Sequence, residues 1–190
     1  GANIRRCGEE TRRGALLLPA GARLDAAAIA LLASHGVSEV AVIRRLKVAL
    51  LSTGDELIEP GALRVPGQVY DSNRVMLAAL LAQAGCELLD FGVIPDAPLD
   101  LHHAFAEARD TADLVMCTGG VSVGEEDHVR PVIEQLGGIA FHGVAMKPGK
   151  PFALGYLGES LQAGTPLIAL PGNPVASLVG WQLLALPFVQ

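Results

Sequence analysis

KVALLST, residues 47–53, is an apolar run bounded by Arg44 and Arg45 on one side and by the polar residues GDE on the other. Its length and branched residues predict a buried strand. Outward from it, apolar runs alternate with helical patterns to the end of the chain. Strands are predicted at 86–94, 113–117, 139–144, 152–156 and 166–169. Helices are predicted from Ser72 or Asn73 to about Ala84, at Leu99–Thr111, at Val129–Leu136 and after LPGNP. Such alternation predicts an α/β fold with three layers, a mostly parallel sheet with helices on both faces.

The sequence before this region is organised differently. Residues 1–14 are polar and basic and are interpreted as a connecting segment. Residues 15–46 predict a small partial α+β unit, with a helix over Asp25–His35 and a short strand over Val37–Ile43. Such a unit is too small to fold alone, so we expect missing sequence to complete it and the chain to be a piece of a longer protein. The predicted main domain covers residues 47–190.

Composition narrows the class of partner. The net charge of −6 argues against nucleic acid as the main partner. No apolar run is long enough to span a membrane, and no signal peptide is visible, so we expect a cytoplasmic protein. Three cysteines without zinc-ligand spacing predict no metal site of that kind.

Unusual loops follow the predicted strands. They read TGDE, PDAP, TGGVSVGEED, KPGKP and LPGNP, in that order. In an open parallel sheet, ligands bind at the carboxyl ends of the strands, near the point where the strand order reverses. The sequence therefore predicts that these loops converge on one edge and form a site there.

Each loop allows a functional and a structural interpretation. Gly119 and Gly120, with Ser122, suit an anion cradle or a plain strand-to-helix turn. Glu56, Asp96 and Asp127 suit Mg²⁺ or helix N-capping. The remaining residues also leave both interpretations open. Lys147 and Lys150 suit an oxyanion or a solvated surface, and Gly172, Asn173 and Pro174 suit a ligand contact or an ordinary helix start.

The set STGDEL, YDSN, TGGVSVGEEDH, KPGKPF and LPGNPV resembles the molybdopterin molybdenumtransferase family, including the matching domain of gephyrin-like proteins. The resemblance implies that molybdenum from molybdate is inserted into adenylylated molybdopterin, with Mg²⁺, releasing AMP and molybdenum cofactor. It implies a homodimer at full length and an adenylyltransferase as possible partner.

The resemblance also implies individual roles. Asp127 would hold the metal with Asp96 and Glu56 near it, and Gly119, Gly120 and Ser122 would hold phosphate. Lys147, Lys150 and Pro151 would hold molybdate. Gly172 belongs to the ligand-binding LPGNP loop, where Asn173 and Pro174 would line the pterin side, while Asp55 and Asp71 would support the loops.

Two other functions stay open. A binding scaffold would hold pterin or a protein partner without turnover. An adenylyltransferase would transfer a nucleotide from ATP, but Val121-Ser122 stands where that relative typically has Thr-Gly.

Gly143 replaces a lysine found in some relatives of the resembled family.

Overall fold

A computed structural model describes residues 1–120 and 128–189 of the chain. The chain divides into two compact units, Gly1–Arg44 and Arg45–Gln190. In the described part, no helix is both long and apolar enough to cross a membrane.

The first unit contains helix α1, Ala26–Ser34, where Asp25 is the N-cap and accepts a hydrogen bond from the Ala28 N–H at 2.8 Å. The strand predicted at Val37–Ile43 is wrong, since these residues form no strand. A strand needs a neighbouring ladder to satisfy its backbone groups. No such ladder forms here, and Ile43 remains 96% exposed.

The second unit is built on one central sheet. Its strands are β1 Lys47–Thr53, β4 Glu87–Ile94, β5 Leu114–Thr118, β6 Gly137–His142, β7 Ala153–Leu157 and β8 Thr165–Leu170. The order is β4-β1-β5-β8-β7-β6, in which the first four strands are parallel and β7 is antiparallel to both neighbours. A separate short parallel pair consists of β2, Leu57–Ile58, and β3, Val69–Tyr70.

Helices cover both faces of the sheet. They are α2 Ser72–Gln83, α3 Pro98–Thr111, α4 Val129–Leu136, α5 Pro174–Gly180, a π-helical turn at Trp181–Ala185, and α6 Leu186–Val189. Phe105 of α3 and Ile133 of α4 belong to one buried cluster, whereas Leu77 of α2 and Trp181 belong to another. The predicted three-layer architecture with a mostly parallel sheet is confirmed.

The sequence predicted that helix α2 begins at Ser72 or Asn73, and in the structure it begins at Ser72. Asp71, not Ser72 or Asn73, is the N-cap, and its Oδ1 accepts from the Arg74 N–H at 3.0 Å. Asp71 is the better cap because its carboxylate also pairs with the Arg74 guanidinium. Asn73 is thereby free for a different role in the site.

The order of the strands in the sheet indicates where a ligand site is expected. From β1 the chain passes through α2 to β4 on one side, and from β4 through α3 to β5 on the other side. The order therefore reverses at β1, and the carboxyl ends of β1 and β5 flank the reversal, where a crevice is expected in such sheets.

Candidate functional site

Two adjoining cavities lie at this edge. The larger, here called the loop cavity, has a volume of about 420 Å³. It is lined by Thr53, Gly54, Glu56, Asp96, Gly119, Gly120, Pro148, Pro151, Pro171, Gly172, Asn173 and Ala176. Its lining residues come from the ends of β1, β4, β5 and β8 and from the turn between β6 and β7, so the strand-end loops meet here.

The smaller cavity, here called the helix cavity, has a volume of about 310 Å³ and lies against the first turn of α2. It is lined by Thr53, Glu56, Leu57, Val69, Tyr70, Asp71, Ser72, Asn73, Thr118, Gly119, Gly172 and Pro174. Four residues line both cavities, namely Thr53, Glu56, Gly119 and Gly172. Both volumes fall within or near the range of small-molecule sites, about 300–1,000 Å³.

The structure brings most of the sequence-predicted residues to these two cavities. The loop cavity holds Glu56, Asp96, Gly119, Gly120, Pro151, Gly172 and Asn173, and the helix cavity adds Pro174.

Other predicted residues lie beside the lining. Asp55 stands next to it, and its Oδ1 accepts from the Asp96 N–H at 3.0 Å. Lys147 and Lys150 are exposed, but Pro148 and Pro151 of the same turn line the loop cavity. Ser122 and Asp127 lie outside the described residues.

Close packing explains the glycine pair. Gly119 and Gly120 have φ of +90° and +62°, a region that side-chain-bearing residues rarely adopt. A methyl group at Gly120 would stand 2.6 Å from the Thr53 Oγ1 and would also collide with Val129. The end of β5 can therefore lie directly on the end of β1 only because both positions are glycine.

Carboxylates crowd one wall of the loop cavity. Burial raises the pKa of Asp96, and the negative charges of Asp55 and Glu56 raise it further, whereas His128 opposes the rise. This mutual repulsion, together with hard oxygen donors, suits a cation such as Mg²⁺. Within residues 1–120 and 128–189, however, no group of three or more potential ligands is close enough to hold a metal by itself.

Asn173 and Pro174 have a clear structural role. The Asn173 side chain accepts from the Ala176 N–H at 3.1 Å and caps α5, and Pro174 occupies the first helical turn. Both remain exposed in the cavity walls. The helix-start interpretation of this loop therefore holds, and it does not conflict with a ligand contact.

Sequence reasoning missed the polar floor between the two cavities. The Asn73 Nδ2 donates to the Thr118 Oγ1 and to the Gly172 carbonyl, both at 2.8 Å. The Asn73 Oδ1 and the Thr53 Oγ1 are buried and have no hydrogen-bond partner within the described ranges. A buried polar atom without a partner costs about 1–3 kcal/mol, so a hydrogen bond to a bound ligand would stabilise either atom. The only sequence signal was the position of Thr53 at a strand end and of Asn73 in YDSN.

Sequence reasoning also missed the ion pairs behind the helix cavity. The Arg74 guanidinium is almost fully buried and binds three carboxylates. These are Asp71 at 3.1 Å, Asp90 of β4 at 2.6 Å, and Glu59 after β2. Arg74 thus ties the wall that carries β2 and β3 to helix α2 and to the central sheet.

The open α/β sheet, with its paired cavities at the carboxyl ends of the strands, defines a small-molecule-binding protein of the doubly wound class. Residues 49–190 match a family described as a probable molybdopterin binding domain. The chain belongs to this family of molybdopterin-binding domains.

Curated relatives confirm the resemblance seen in the sequence. A molybdopterin molybdenumtransferase of Haemophilus influenzae is 46% identical over 98% of this chain. Proteins of the same name from a Nostoc species and from Bacillus subtilis are 40% and 36% identical. The chain spans 45%, 40% and 43% of the lengths of these three relatives.

Solved structures agree on the fold. The molybdopterin biosynthesis moeA protein of Pyrococcus horikoshii superposes with a TM-score of 0.82 at 36% identity, over 96% of this chain and 44% of that one. The tungsten cofactor synthesizing protein MoaB of Pyrococcus furiosus, at 18% identity and a TM-score of 0.56, shares the fold alone.

Proposed function

We propose that the protein inserts molybdenum from molybdate into adenylylated molybdopterin, releasing AMP and molybdenum cofactor. The observation that carries the proposal is the loop cavity, where acidic, glycine-rich and lysine-bearing loops meet in a molybdopterin-binding fold. The relatives that bear the molybdenumtransferase name support it.

The proposed reaction needs cationic groups for molybdate and carboxylates for Mg²⁺, and the loops carry both. Lys147 and Lys150 bracket the Pro148 turn at the rim of the loop cavity, where they would attract molybdate. Glu56 and Asp96 line the cavity and, with Asp127, would hold Mg²⁺. The bound metal would neutralise charge on the phosphate oxygens.

The other predicted contacts complete the proposal. Gly119 donates its N–H to the Leu170 carbonyl at 3.3 Å and would let the backbone approach the phosphate, while the Gly120 N–H and the hydroxyl of Ser122 would bind phosphate oxygens. Pro151 would contact molybdate, and Gly172, Asn173 and Pro174 would contact the substrate from the opposite wall. Asp55 would keep the Asp96 loop in place through its bond to the Asp96 N–H.

The proposal extends beyond the site. We infer a cytoplasmic enzyme that is a homodimer at full length and that receives its adenylylated substrate from a molybdopterin adenylyltransferase. Its alternative is a scaffold that binds molybdopterin without turnover.

The test is AMP release from adenylylated molybdopterin by the full-length natural protein. We expect release that requires both molybdate and Mg²⁺, and about a hundredfold or greater loss with Glu56→Gln, because metal charge stabilisation is worth several kcal/mol. Binding of substrate without AMP release under these conditions would identify the scaffold instead. Glu87→Gln, at the opposite edge of the sheet, is the control and should retain activity.

A further inference from the structure

We propose that the helix cavity binds the amino-bearing edge of an N-heterocyclic ring, and that Thr53 and Asn73 contact that ring. The inference rests on the proposed function, whose substrate carries two such rings, a pterin and an adenine. It assigns the ring to the helix cavity and leaves the anionic groups to the loop cavity.

The Asn73 amide provides a fixed acceptor. Its Nδ2 donates to the Gly172 carbonyl, which can only accept, so the orientation of the amide is determined. The Oδ1 is then left buried and without a partner among the described residues. An amide oxygen in this state needs an N–H or O–H donor, and Asn73 lines the helix cavity, where a ligand would supply one.

Thr53 provides a hydroxyl in the same state. Thr53 as a whole is only 3% exposed, its Oγ1 lacks a partner in the described part of the chain, and the residue lines both cavities. Ser52 precedes it on β1 and also has an unpartnered buried hydroxyl, but successive strand residues point to opposite faces. Ser52 lines neither cavity, so of these two hydroxyl groups it is that of Thr53 that is in a position to meet a ligand.

The other lining groups favour the same occupant. The Glu56 carboxylate lines the helix cavity and can accept a hydrogen bond there, whereas both oxygens of the Asp71 carboxylate already accept from Arg74. Leu57 and Val69 supply apolar walls. The Tyr70 ring is half-exposed and is held by its hydroxyl, which donates to the Ala62 carbonyl at 3.0 Å. A flat ring with N–H donors satisfies the acceptors and can stack on Tyr70.

The test is equilibrium binding of AMP and, separately, of molybdopterin to the wild-type protein and to Thr53→Val. Valine keeps the shape of threonine and removes a hydroxyl that has no partner in the described structure, so we expect the thermal midpoint to be unchanged or higher. We expect affinity for one of the two ligands to fall about three- to tenfold, the effect of one lost hydrogen bond. Thr53→Ser should restore it to within about twofold, and Thr53→Ala, which needs no space, should repeat the loss.

Ser52→Ala is the matched control, and it should bind both ligands as the wild type does. Loss confined to molybdopterin would assign the cavity to the pterin, and loss confined to AMP would assign it to the adenine. Wild-type affinity of Thr53→Val for both ligands would overturn this inference while the proposed function stands. A wild-type protein that binds neither ligand would overturn both.

Discussion

Asp96 is a site residue whose charge depends on its neighbours. Its pKa is raised by burial and by the carboxylates of Asp55 and Glu56. A carboxyl whose pKa is higher in the folded chain destabilises the fold once it ionises. The penalty is absent below the ordinary pKa of aspartate, about 3.9, and grows as the pH rises through the raised pKa.

Asp96→Asn therefore tests this electrostatic picture. We expect the variant to have a higher thermal unfolding midpoint than the wild type at pH 8 and the same midpoint at pH 3.5, in the absence of metal. Asp110→Asn is the control. A hydrogen bond from Arg109 lowers the pKa of Asp110, so this variant should not have a higher unfolding midpoint than the wild type at pH 8. A wild-type midpoint for Asp96→Asn at pH 8 would contradict the proposed repulsion.

At this scale, sequence could identify the residues of the loops but not their partners. Glu56 and Asp96 were predicted to lie on one edge because both follow parallel strands, and both line the loop cavity. The role of Asn73 was invisible, because its partners Thr118 and Gly172 lie 45 and 99 residues away in the chain. Asp71 was overlooked as a cap because its neighbour Ser72 is an equally good cap by residue type.

At the scale of elements, Arg74 connects helix α2, strand β4 and the segment after β2. Its removal would leave the carboxylate of Asp71, which is only 1% exposed, without its cation. Breaking such a buried pair from one side costs about 3–5 kcal/mol, whereas exposed pairs contribute about 0–1 kcal/mol. The wall of the helix cavity should therefore depend on this one side chain.

Arg74→Met is expected to lower the free energy of unfolding by about 3 kcal/mol in chemical denaturation. Arg109→Met removes an arginine whose pair with Asp110 is more exposed, and it should change stability by less than about 1 kcal/mol. Equal effects of the two variants would show that the ion pairs of Arg74 contribute no more to the free energy of unfolding than an exposed pair does.

Most elements of the second unit were predictable, because apolar periodicity and capping residues mark them locally. The strand predicted at Val37–Ile43 failed for the opposite reason. Its apolar residues fit a strand, but pairing is a property of the whole unit, and no strand of the described residues pairs with this segment. The strands β6 and β7 were predicted, but the antiparallel direction of β7 was not, since strand direction depends on connections rather than on composition.

At the scale of the whole molecule, the two edges of the central sheet differ in how many lysines they carry. The chain has three lysines, of which Lys147 and Lys150 lie in the turn at the carboxyl edge. Lys47 begins β1 at the opposite edge and pairs with Glu87 at 3.6 Å. In a chain of net charge −6, an oxyanion substrate should depend on the first two and not on the third.

The most direct test of the central claim is the molybdate concentration that gives half-maximal AMP release by the full-length protein. We expect Lys147→Ala and Lys150→Ala each to raise it about tenfold or more, because each removes a charge-assisted hydrogen bond of about 1.5–3 kcal/mol, and Lys47→Ala to leave it unchanged. An unchanged molybdate requirement in both turn variants, or an equal rise with Lys47→Ala, would contradict the placement of the substrate site at the carboxyl edge of the sheet.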